Sequence, residues 1–270
     1  MADPKELVER AERFLKQQQE MYGDFFVNSD EGNSSDSKLT NSKKDDNKVT
    51  EDQKTSEELK NQEAADSVQQ TSRKELSTAE KIAACTTLDE LRDLCAKAKE
   101  LQTDLEDTNL VFGVGNPNAD LMVIGEAPGF NEDKQGEPFV GEAGQLLDKI
   151  LEAINLRRDD IYIANILKHR PPNNRDPKQE ERQRSLPYLL RQIELIDPKL
   201  ILCVGRVSAT TLLNEDTSLS KLRGKFHSFH GRELMATYHP AALLRNQQWK
   251  RPTWEDVQKL RKRYDELGGK

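Results

Sequence analysis

Leu121-Met122-Val123-Ile124-Gly125-Glu126-Ala127-Pro128-Gly129 decides the architecture: an unbroken apolar run enters a turn rich in Gly and Pro. Short apolar runs bounded by turn residues are the pattern of strands buried on both faces. Three more follow, at 161–165, 200–204 and 234–237. Between them, 144–154, 178–196 and 207–213 are long enough for crossover helices, and 254–267 makes a final one. Strand and helix in alternation predict an α/β fold, a three-layer α/β/α sandwich around a central four-stranded parallel sheet. Ligands of such sheets bind beyond the carboxyl ends of the strands. The segments 125–129, 165–175 and 239–245 are therefore expected to share one crevice.

With 34% of its 270 residues hydrophobic and 33% charged, the chain is too polar to be packed throughout. Residues 79–270 read as the compact domain, opened by a helical pair with Leu88, Leu91, Leu94 and Leu101 as its apolar stripe. Residues 27–78, almost all Ser, Asp, Asn, Lys, Glu and Gln, read as a disordered acidic linker, since they bury too little to offset their ordering entropy. Residues 1–26 carry Leu7, Ala11, Phe14 and Leu15 at helical spacing. The net charge of -7 belongs to the residues before Asn109, because basic residues slightly outnumber acidic ones after it. That balance suits a polyanion partner for the compact domain. No long apolar run and no export signal are visible, so a cytoplasmic, nucleoid-associated monomer without membrane contact is expected. Cys85, Cys95 and Cys203 lack paired spacing and are expected to pack as small hydrophobes.

The order of four motifs makes the reading specific. GEAPG at Gly125, GEPFVGEAGQLL at Gly136, YIANILKHRPPNNR at Tyr162 and TYHPAALLR at Thr237 fall at the expected strand ends. Together they resemble family 4 of the uracil-DNA glycosylase superfamily over residues 109–267. The resemblance implies an enzyme of base excision repair that hydrolyses the N-glycosidic bond of deoxyuridine in DNA, releasing uracil and leaving an abasic site. Such an enzyme extrudes the nucleotide, reads its Watson–Crick edge, stacks it on an apolar face, and offers donors where negative charge develops on the departing base.

By that resemblance Asn165 reads the uracil edge, Phe139 stacks on it, and Gly125 and Ala127 line the base. Asn suits uracil because one amide supplies both an acceptor and donors. Taken alone, Asn165 is also a strand-end cap and Phe139 a core aromatic. His239 is implied as the donor to uracil O2, against the plain alternative of a structural histidine. Leu243, or Leu244 in its place, is the implied wedge into the minor groove. Arg245, with Lys168, Arg170 and Arg175 on a proline-stiffened loop, is expected to hold phosphates. Glu126 is favoured as the carboxylate that handles water, and Glu132 as a pocket-wall residue beside it.

The sequence departs from the family where family 4 binds a four-iron cluster through four cysteines. Ala98, Leu101, His169 and Ser185 stand at those positions. Cluster irons are held by thiolates, so no cluster and no other cofactor is expected. An apolar, hydrogen-bonded plug is expected in its place. The basic, His-bearing insertion of a covalently trapped branch is missing from 131–136, which disfavours covalent capture.

Two further readings remain. Gln19, Tyr22, Phe25 and Phe26 have a spacing that resembles the peptide used to dock on sliding clamps. The rival to an enzyme is a non-catalytic module of the same fold that binds uracil-containing or single-stranded DNA. A nucleotide-phosphate binder is poorer, because Gly113-Val114-Gly115 precedes the first strand instead of following it.

Overall fold

The computed structural model describes residues 76–269. The segments read as an amphipathic helix and as a disordered linker lie outside these residues, apart from the last few of the linker. The helical pair is present as α1 (Thr78–Ala84) and α2 (Leu88–Lys97), each opened by a capping box, Ser77 with Glu80 and Thr87 with Glu90.

The sheet has the order β1-β3-β2-β4-β6-β5, with strands β1 (Val114–Gly115), β2 (Leu121–Gly125), β3 (Tyr162–Asn165), β4 (Leu200–Val204), β5 (Phe226–Phe229) and β6 (Arg232–Thr237). The four predicted strands are the parallel centre, β3-β2-β4-β6. Six strands replace the expected four, because β1 and β5 add antiparallel edges. The β5–β6 hairpin turns at His230-Gly231, both with positive φ (47° and 76°), the geometry that matches strand twist in a two-residue turn.

Side chains alternate across the central strands and build a core on each face. Met122, Ile124, Ile201 and Cys203 face α5 (Gln179–Ile196) and α6 (Arg206–Leu213) through Leu189, Ile193 and Leu212. Leu121, Val123, Leu200 and Leu202 face α4 (Glu142–Glu152) and α9 (Lys250–Glu266) through Leu147, Leu151, Val257 and Leu260. Both faces of β2 and β4 are thus fully buried, which is why these runs carry no polar alternation. All three cysteines are buried and free, as their sequence surroundings lead one to expect.

Short helices leave the carboxyl ends of the strands: α3 (Phe130–Gln135) after β2, and α8 (Pro240–Arg245) after β6. A single turn, α7 (Leu219–Leu222), leads to β5. No helix of the described residues is long and apolar enough to cross a membrane.

Candidate active site

The crevice forms where the strand ends suggest. A cavity of about 470 Å³ opens at the carboxyl ends of β2, β3 and β6, lined by Glu126, Phe139, Asn165 and His239 and flanked by Arg175 and Arg245. That size suits a small-molecule site, commonly ~300–1,000 Å³.

Asn165 ends β3 and is 2% exposed, with its Oδ1 buried and accepting no hydrogen bond. A buried carbonyl oxygen without a donor is costly unless a ligand supplies one. Gly125 ends the neighbouring β2 in register with it. A Cβ at Gly125 would collide with the Asn165 side-chain oxygen and lie 2.6 Å from Phe139 Cζ. The bare backbone there is what lets amide and ring approach.

Phe139 has φ 56°, a left-handed conformation rare outside glycine. Arg158 imposes it, donating from Nη1 to the Phe139 carbonyl at 2.8 Å and from Nη2 to the Pro138 carbonyl at 2.6 Å, while Asp148 pairs with the same guanidinium at 3.0 Å. A Cβ at Gly144 would overlap the Phe139 carbonyl, so the start of α4 packs tightly beneath this turn. The Phe139 ring stacks on His239 at 5.5 Å between centroids and 29° between planes.

His239 caps α8. Its Nδ1 accepts the Ala241 N–H at 3.1 Å, which fixes the proton of a neutral ring on Nε2. Burial, with Arg245 as a second cause, pushes its pKa down to about 4. The ring is therefore a neutral donor near pH 7.

Two carboxylates behave differently. Glu126 is half-buried, and its pKa is pushed up to about 7, by burial first and by Asp176 second, against the opposing Arg206 and Arg182. Glu132 is tied into the scaffold: Oε1 accepts from the Val140 and Gly141 N–H groups, both at 2.9 Å, and Oε2 from Gly129 N–H at 3.1 Å. It joins the starts of α3 and α4, and so shapes the wall of the cavity.

Several expected DNA contacts need correction. Lys168 is 0% exposed and donates to the carbonyls of Phe112 and Asn165 and to Gln192 Oε1 at 3.2, 3.1 and 2.6 Å, so it braces the Asn165 strand end from inside. Arg175 is already neutralised by both oxygens of buried Glu181 and by Asp104. Leu243 is buried because the turn of α8 after Pro240 points it at the core, and Leu244 is the exposed one. Arg245 is exposed at the rim, and Arg170 lies half-buried above the loop.

Sequence reasoning missed Arg158, whose carbonyl partners are 19 and 20 residues away. It also missed Asp176, Arg206 and the brace under β6, in which Asp256 accepts from Thr237 at 2.7 Å and pairs with Arg223 at 2.8 Å. Arg206 opens α6 just past the carboxyl end of β4, the one central strand tip that the four motifs do not reach.

The four positions that replace cysteines hold no ligand set. Ala98 and Leu101 pack with Cys95, Phe112 and Tyr188 in an apolar cluster. His169 is buried with Nδ1 against Thr108 Oγ1 at 3.0 Å, and Ser185 is buried on α5. One imidazole and one hydroxyl are not a donor set for iron. Among the described residues no group of three His, Cys, Asp or Glu side chains is placed to share a metal. The loop is fastened by other means, including Thr103 Oγ1 to the Arg170 carbonyl at 2.6 Å.

Comparison with known proteins gives the same direction. The model of the uracil DNA glycosylase superfamily matches residues 112–260. A type-4 uracil-DNA glycosylase of Archaeoglobus fulgidus is 47% identical over 161 residues, 57% of this chain and 81% of that protein. Proteins of the same name from Sulfurisphaera tokodaii and Thermotoga maritima are 41% and 40% identical, covering 65% and 58% of this chain and 84% of each relative.

Proposed function

The chain belongs to the uracil DNA glycosylase superfamily, and on that premise we propose that it hydrolyses the N-glycosidic bond of deoxyuridine in DNA, with the crevice residues in the following roles. The extruded uracil lies on Phe139. Asn165 Oδ1 accepts from N3–H and its Nδ2 donates to O4, a pattern that opposes cytosine. As the C1′–N1 bond breaks, its electron pair passes to the base. His239 Nε2–H donates to uracil O2, where that charge gathers. Water adds to C1′, and Glu126 takes its proton. Leu244 fills the space left by the base, and Arg170 and Arg245 hold phosphates.

One observation carries this reading: the buried Asn165 Oδ1 has no donor, in a cavity it shares with Phe139 and a neutral His239. The test is incubation with a labelled uracil oligonucleotide, followed by alkaline cleavage of abasic sites. Wild-type protein should cut, whereas Asn165→Asp and His239→Ala should bind and fail to cut. Tight binding by the wild type without any release would favour the non-catalytic module instead.

The same reading extends to the cofactor and to partners. Packing at Ala98, Leu101 and Ser185 and the hydrogen bond of His169 with Thr108 stand in for an iron–sulfur cluster, so no step above passes through iron. Protein purified anaerobically should carry no iron or acid-labile sulfide, and stoichiometric amounts of both would overturn this. Docking on a sliding clamp through Gln19, Tyr22, Phe25 and Phe26 rests on their spacing, and these residues lie outside the described ones.

A further inference from the structure

The rim of the cavity carries an aromatic ring that the roles above leave unused. Phe130 is 59% exposed, and no other described large apolar residue is more so. A phenyl ring left in water forgoes the burial its apolar surface would gain, so its position at the cavity invites a partner. It opens α3, directly after Gly129, whose N–H is held by Glu132. The ring therefore stands on a fixed backbone.

The Arg170 guanidinium lies over this ring, with Cζ 5.0 Å from the centroid, and is itself oriented by Nε donating to Asn174 Oδ1 at 2.7 Å. An aromatic ring beside a cation, at the mouth of a base-sized cavity, is the composition that stacks a nucleobase while holding its phosphate. Position adds to composition. Phe130 follows β2 and Leu244 follows β6, and these strands are separated by β4 alone. At about 4.8 Å per strand step the two strands that lead into them run roughly 10 Å apart, and Phe130 itself lines the cavity.

We propose that Phe130, with Arg170, is a stacking platform for the base next to the extruded uracil, and that it favours uracil in single-stranded DNA. In a duplex that neighbour stays paired, stacked on its outer base and faced by the Leu244 wedge, so the platform offers it little. In a single strand a face is free. This rests on the glycosylase reading and adds to it the strand state of the substrate.

The experiment compares wild type, Phe130→Ala and Phe130→Trp on a uracil oligonucleotide, single-stranded or paired. Two further single-stranded substrates replace the base 5′ or 3′ of the uracil with a tetrahydrofuran abasic analogue. Phe130→Ala should lower the single-strand to duplex ratio of kcat/KM about tenfold, through KM, within the range of base–aromatic stacking. Phe130→Trp should restore it. One of the two abasic neighbours should cost wild type a similar factor and cost Phe130→Ala nothing further, the coupling expected of groups in contact. An unchanged ratio in Phe130→Ala, or abasic penalties equal in wild type and variant, would overturn the platform and leave the glycosylase reading intact. No uracil release by wild type from any substrate would remove both.

Discussion

Arg158 holds Phe139 in a left-handed backbone conformation by donating to its carbonyl at 2.8 Å, with a second bond to the preceding carbonyl at 2.6 Å. Conformations of this kind are kept only where surrounding bonds over-determine them, against ~1–3 kcal/mol of strain. Arg158→Met should free the turn and let the ring leave His239. We expect uracil release to fall about 10- to 100-fold, since misplacement by about 1 Å has that scale of effect. Arg158→Lys, which lacks the planar fork, should recover little of it. Wild-type kinetics in Arg158→Met would show that the turn holds itself.

Asn165→Asp replaces the Nδ2 donor with an acceptor facing uracil O4. Sites built to hydrogen-bond a group reject its absence by about 10⁴-fold, so a loss of at least ~10³-fold in kcat/KM is expected. His239→Ala should instead lower kcat by about 10²–10³-fold, the usual effect of deleting one donor to a developing oxyanion, with a smaller change in KM. Equal effects of the two variants on binding alone would contradict this division of roles.

The pH profile should have its acid limb near 7, where Glu126 is pushed by burial, and none from His239, which stays neutral down to about 4. A base acts when ionised, so kcat should fall about tenfold per unit below that point, and Glu126→Gln should be slow and flat. Stability has the opposite sign. The folded value lies above the ordinary 4.5, so the fold holds the extra proton and stability is lost as the pH rises towards about 7. Melting temperatures at pH 5 and pH 8 should therefore diverge, with Glu126→Gln gaining on wild type at pH 8. A gap of the same size at both values would refute the assignment.

Salt dependence should separate the buried lysine from the surface arginines. Arg170→Gln and Arg245→Gln should each reduce the slope of log affinity against log salt by about one contact. Lys168→Met should leave that slope alone and lower the melting temperature, because the buried Asn165 carbonyl and Gln192 Oε1 each lose a donor at ~1–3 kcal/mol, while the Phe112 carbonyl keeps Gln192 Nε2. A stable Lys168→Met protein with a shallower slope would return Lys168 to the DNA surface.

The central strands were legible because burial on both faces leaves unbroken apolar runs, and the crevice followed from where those runs stop. The edges were not. Val114–Gly115 is too short to show a period, and Phe226-His227-Ser228-Phe229 mixes polar and aromatic residues as a half-exposed strand does. Asn165 and His239 could be named because each belongs to a motif at a strand end, and Phe139 because it belongs to the motif between α3 and α4. Lys168 could not be read correctly, since a lysine beside His169 and Arg170 has the spelling of a surface loop and only coordinates reveal its enclosure. The choice between Leu243 and Leu244 depends on the phase of one helical turn after Pro240, which motif order does not encode. Arg158 acts across 19 residues, beyond any local pattern.

On the roles proposed above, edge recognition and face recognition of a pyrimidine cannot drift separately, because Asn165 and Phe139 both crowd the α-carbon of Gly125, which bears no side chain. A single added methyl would displace the amide and the phenyl ring together, while the backbone pairing of β2 with β3 would survive. Mutational tolerance at that spot should consequently be near zero for catalysis and generous for folding.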